Sequence, residues 1–206
     1  MGATGIIVIF LLLACSDYRV HAPPPEPVAD PPAQDPDALF GEPPDWENCS
    51  PGWLGQYQNL EAAPLDAEEE PDPATVDWWE PSRRAFRRDD ASLEFGDAWW
   101  PVDQGIAGDP AYFSVRWTGW LRVWEGGTVT VVVGATTDVF LYVNDVLALS
   151  LSNELEFEPQ AHDLSLAAGQ YPVDLRFAQR DAMASAFRFR LADEDATECY
   201  PDFSGD

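Results

Sequence analysis

The chain of 206 residues contains no lysine. Its eleven basic residues are all arginine and stand against 37 Asp and Glu, giving a formal net charge of −26. A field of that sign repels phosphate backbones and anionic headgroups, which excludes nucleic acid as a partner and disfavours direct docking on an acidic bilayer. Divalent cations and neutral sugars are easier partners. Histidine is nearly as scarce, with only His21 and His162. No H-E-x-x-H, no clustered His/Cys metal site and no G-x-S-x-G elbow occurs. Acidic residues are so abundant that none can be singled out as a pair for glycoside hydrolysis. The chain is therefore expected not to be an enzyme. No stretch beyond the N-terminus combines helical periodicity, sufficient length and caps, so helices are not expected either.

What is present begins with an apolar run, Ile6 to Ala14, nine residues long. That is short of the ~20 residues needed to span a bilayer and fits the core of a signal peptide over residues 1–14. Its end, Leu12-Leu13-Ala14-Cys15, resembles a bacterial lipobox, which implies acylation of Cys15. The alternative is an ordinary cleaved signal peptide with Cys15 incidental. Several acyl chains, at ~0.8 kcal/mol per buried methylene, would hold the protein on a membrane. Ser16 after the cysteine resembles lipoproteins exported onward to an outer membrane. Residues 15–48 are rich in Pro and Asp without apolar periodicity. Proline removes backbone donors and fixes φ, so this stretch is predicted to be a disordered, extended acidic spacer.

The rest reads as strands. In FSVRWTGWL, Phe113–Leu121, apolar and polar residues alternate with period two, the pattern of a half-buried strand. Glu125-Gly126-Gly127 is a tight turn, and Thr128–Val133, TVTVVV, is rich in β-branched residues. Val139–Val143 is almost wholly apolar, as a strand buried on both faces would be. Asn144-Asp145 is a two-residue turn. Val146–Leu151, His162–Leu166, Tyr171–Ala178 and Ala186–Leu191 complete the set. FSVRWTGWL, TDVFLYVND and LSLAAGQYPVDLRF, together with GWLGQY at Gly52–Tyr57, resemble the PA14 family, a β-sandwich found in secreted and cell-surface proteins. The resemblance runs from about Cys49 to Ala192. It implies an all-β, PA14-like antiparallel β-sandwich over residues 49–199, with an acidic tail at 200–206. The basic cluster Arg83, Arg84, Arg87 and Arg88, beside Asp89 and Asp90, reads as local neutralisation.

With Cys15 lipidated, Cys49 and Cys199 remain, one at each end of the domain in an oxidising compartment. A disulfide between them is expected, the alternative being two thiols. Carbohydrate-binding members of the family place two adjacent Asp before the buried strand to hold calcium. Here Thr136-Thr137 occupy that place and Asp138 follows. Thr137, Asp138 and Asn153 are therefore the candidate ligand-binding residues, and Asp138, with Asn153 or Asp181 from neighbouring loops, is the candidate cation ligand; the alternative is a surface loop with a turn-forming Asp138. No cofactor is expected beyond that possible calcium. The resemblance points to a non-enzymatic, lipid-anchored envelope protein, exported to the cell surface at the outer membrane, whose module serves carbohydrate binding or adhesion. The alternative is a structural envelope protein that binds a protein partner.

Overall fold

The structure, a computed structural model, describes residues 43–49, 51–60, 69–96, 99, 112–152, 157–180, 185–192 and 196–199. The apolar leader, Cys15, most of the spacer, Asn153, Asp181 and the acidic tail lie outside the described residues. The strands are β1 (Trp53–Asn59), β2 (Arg84–Asp90), β3 (Leu93–Phe95), β4 (Phe113–Val123), β5 (Gly127–Ala135), β6 (Asp138–Val143), β7 (Val146–Leu151), β8 (Gln160–Leu166), β9 (Gly169–Gln179), β10 (Phe187–Leu191) and β11 (Ala196–Cys199). A single 3-10 turn at Pro81–Arg83 is the only helical element among the described residues.

Two antiparallel sheets form the frame. One has the order β2-β1-β4-β9-β6-β7, with β11 also paired to β4; the other has the order β3-β10-β5-β8. Period two explains the division of labour along each strand. Val115, Trp117, Leu121 and Val123 of β4 point between the sheets and meet Val129, Val131 and Val133 of β5 and Phe187 and Phe189 of β10. The apolar strand Val139–Val143 is buried on both faces, as its composition predicts. Val139, Leu141 and Val143 join the main core, while Phe140 packs with Leu60, Trp78, Trp79 and Ala178 in a second cluster behind the sheet. The indole of Trp79 donates to the Phe177 carbonyl at 3.1 Å, which fixes that cover. Asn144 and Asp145 have φ of 52° and 62°, the geometry of a two-residue hairpin turn that follows the strand twist.

The G-W-L-G-Q-Y run has a physical basis. Tyr57 donates to Asp90 Oδ2 at 2.6 Å, Trp117 Nε1 donates to the same oxygen at 2.8 Å, and Arg88 Nε donates to Oδ1 at 2.5 Å. Arg88 also donates to the Tyr57 hydroxyl and lies 4.7 Å over its ring. Burial first, and then the Asp90 carboxylate, hold the Tyr57 phenol well above its ordinary value. A Cβ at Gly55 would stand 2.6 Å from Asp90 Oδ2 and 2.7 Å from the Tyr57 ring, so only glycine leaves room for this hub.

Cys49 and Cys199 form a disulfide, with Cα atoms 6.0 Å apart and 150 residues between them in sequence. It ties the segment before β1 to β11. Those two strands lie end to end along one edge of β4: β1 pairs with Phe113–Thr118, and β11 pairs with Trp120–Val123. Gly119 sits at the junction, where a side chain would meet the Trp53 ring at 2.9 Å. Residues Asp45–Asn48, assigned to the spacer on composition, form a turn in which Asn48 N donates to the Asp45 carbonyl at 3.0 Å and Asn48 Nδ2 to its carboxylate at 2.7 Å.

Candidate functional site

The stretch Thr136–Asp138 links β5 to β6 across the top of the two sheets. Asp138 is not in an exposed loop. It is the first residue of β6 and has no solvent exposure. Arg180, itself only 4 % exposed, lies beside it just past the end of β9, because β6 pairs with β9 and Asp138 faces Ala178 in the register. The guanidinium is bidentate on the carboxylate, with Nε to Oδ2 at 2.5 Å and Nη2 to Oδ1 at 3.3 Å. Arg180 Nη2 also donates to the Glu69 carbonyl at 2.7 Å. A fixed cation therefore already neutralises the carboxylate expected to bind calcium. The physical reason is burial: an ionised carboxylate without water needs a partner, and the arginine fork supplies charge and two hydrogen bonds together.

The two threonines are also occupied. Thr137 Oγ1 donates to the Ala178 carbonyl, and Thr136 Oγ1 donates to Gln179 Oε1 at 2.8 Å while accepting from Ala186 N at 3.1 Å. Thr136 N donates to the Ala186 carbonyl at 3.1 Å. The linkage between sheets is thus latched by hydroxyls where acidic ligands would be needed. Of the sequence candidates, Thr137 and Asp138 are brought together, and Asn153 and Asp181 lie outside the described residues. Among the described residues, no group of three or more His, Cys, Asp and Glu is arranged to hold a metal. Arg180 was not anticipated; its only sequence signal is a charge at the end of a long apolar-alternating strand.

A second polar group lies on the outer face of the larger sheet. Asp174 accepts from Arg116 at 2.9 and 2.7 Å and from Arg176 at 3.0 and 2.8 Å. The Arg176 guanidinium covers the Tyr142 ring at 4.6 Å and the Trp79 ring at 5.6 Å. Two arginines share one carboxylate here, and Trp79 and Tyr142 of the second cluster lie against the Arg176 guanidinium. This arrangement locks the cover onto the sheet. Among the described residues, no helix is long and apolar enough to cross a membrane.

Two twisted antiparallel sheets, a hydroxyl-latched linkage at one end and a disulfide joining the outermost segments define a closed β-sandwich module. The chain belongs to the PA14 domain family, whose model matches residues 96–205. Among solved structures it is similar to the PA14 domain of the antifreeze protein MpAFP, with a TM-score of 0.57 and 16% identity over 82% of this chain and 93% of that domain. It is similar to a PA14 sugar-binding domain from an RTX adhesin, with a TM-score of 0.56 and 13% identity over 74% of this chain and 99% of that one. It also resembles an anti-sigma factor domain-containing protein, with a TM-score of 0.53 and 20% identity over 76% of this chain, but spans only 49% of that protein's length. A search of curated protein sequences gave no match.

Proposed function

We propose that this chain is an exported, lipid-anchored binding module that recognises saccharide on a cell-surface polymer without a bound calcium ion, and that it is not an enzyme. The observation that carries the reading is the PA14 match over residues 96–205, on a sandwich whose Asp138 is held by Arg180. The sugar-binding adhesin domain among its structural neighbours supports saccharide as the ligand class. The guanidinium on Asp138 supports metal independence, since a divalent ion would have to displace a fixed charge from a fully buried carboxylate. The apolar run before Cys15 supports lipidation there and export to the envelope, and the outer membrane is the destination that Ser16 favours.

A glycan array probed with the full mature chain, with and without EDTA, tests the central claim. Saturable binding that EDTA leaves unchanged is expected. Binding abolished by EDTA would overturn metal independence, and a silent array would overturn saccharide recognition. Incorporation of labelled palmitate that disappears in Cys15→Ser is expected for the anchor. One observation favours a second reading. Strand β7, Val-Leu-Ala-Leu-Ser-Leu, is an uncharged sheet edge with Val146 66% and Leu147 45% exposed, a surface on which a partner protein could add a strand. A silent array together with a stoichiometric co-purifying protein lost in Leu147→Lys would favour that reading.

A further inference from the structure

We infer that Trp124, backed by an Arg122 guanidinium that also lies over Trp46, is a stacking platform for one ring of a neutral saccharide. The inference rests on the saccharide reading above and assigns the place of contact. That place is the β4–β5 turn, at the opposite end of β5 from Thr136–Asp138. The nine residues of β5 put about 30 Å between the two ends.

The platform follows from alternation. Leu121 and Val123 face the core, so Arg122 faces away from it, and Trp124, the first residue past β4, lies exposed against the Arg122 guanidinium. The Arg122 guanidinium lies 3.7 Å from the centroid of the Trp124 ring and 5.7 Å from that of Trp46. Trp46 is carried by the Asp45–Asn48 turn, and the Cys49–Cys199 bond that follows holds this turn against the sheet. Arg122 is bracketed in the sheet by Thr197 of β11 and Gln170 of β9. The stack is therefore held in place before any ligand arrives, which lowers the entropic cost of binding.

The surroundings leave the ring open. A Cβ at Gly126 would touch the backbone of Ala167 and Ala168, so the two neighbouring turns meet through their smallest residues. Gly127 faces open space, and Trp124 is 51% exposed. One face of the indole carries a guanidinium, and half of the residue is open to solvent. The cation over one face helps hold the indole in place and leaves its other face for a ligand.

Chemistry narrows the occupant. The exposed half of one Trp offers roughly 100 Å², far below the roughly 800 Å² per partner of a specific protein interface. Nucleobases also stack on aromatic rings, but a chain with net charge −26 repels the phosphates they carry. The apolar C–H face of a pyranose, laid on the indole face opposite the guanidinium, fits both the area and the charge.

The test uses the full mature chain on an array of neutral oligosaccharides, followed by titration of the strongest responder. Trp124→Ala is expected to weaken binding by about tenfold or more, and Trp124→Phe to retain most of the affinity, with melting temperature unchanged in both. Arg122→Ala is expected to weaken binding as well. If the parent binds a sugar and Trp124→Ala binds it equally well, the platform is overturned while saccharide recognition stands. If the parent binds no sugar on the array, both fail.

Discussion

A methyl group at Gly55 would collide with Asp90, Tyr57 and Trp117 together, at 2.6, 2.7 and 3.1 Å. None of the three can yield without breaking the hydrogen bonds that satisfy a carboxylate only 5% exposed. Gly55→Ala is therefore expected to cost about 2 kcal/mol or more in chemical denaturation, by overpacking and by loosening the hub. Glu198 supplies a pH test. Burial pushes its carboxyl above the ordinary value of 4.5. With a folded value above the unfolded one, the unfolded chain gives up its proton first as pH rises, so this group lowers stability from about pH 4.5 upward and is neutral to stability below it. Glu198→Gln is expected to melt higher than the parent at pH 7 and to coincide with it by pH 4. Equal melting temperatures at both values would refute the assignment.

Between elements, the decisive contacts join segments far apart in sequence. Asp138 opens β6 and Arg180 follows β9, and removing one member takes from the other its bidentate charge partner in a buried site. Arg180→Met is expected to cost roughly 3–5 kcal/mol, and adding Asp138→Leu to recover a large part of it. A double-mutant cycle by urea denaturation measures both. The disulfide closes a loop of 150 residues. By the loop-entropy argument its loss in Cys49→Ser/Cys199→Ser costs up to about 5 kcal/mol, read as a lower urea midpoint. These same contacts explain what sequence could and could not disclose. The runs from Phe113 onward were legible because their alternation matches a sheet with one apolar face. The hairpin at Asn144-Asp145 was legible because those residues tolerate positive φ. Strand β2 was not, because its inward positions include Arg88 and Asp90 and its polarity reads as a solvated charge cluster. Strand β11 is four residues, Ala-Thr-Glu-Cys, with little intrinsic preference for a sheet, and is placed by the disulfide. Asp138 was identified as a candidate, yet its partner 42 residues away could not be inferred from spacing. Trp124 carried no motif; only its exposure beside Arg122 marks it.

For the whole molecule, the charge of −26 works against compactness, since like charges crowd when the chain folds. Raising salt from about 0.01 M to about 1 M shortens the Debye length from about 30 Å to about 3 Å. The melting temperature is expected to rise over that range in scanning calorimetry. A fall would mean that surface ion pairs such as Arg83–Asp77 outweigh the general repulsion.

The end-to-end placement of β1 and β11 beside β4 has a mechanical consequence. Tension entering just ahead of Cys49 and leaving just past Cys199 would run through a covalent sulfur link instead of across the hydrogen-bonded ladders. Tugged along that line, the folded body would act as a short inextensible knot on its tether, with everything between the two cysteines shielded from the pull for as long as the link stays oxidised.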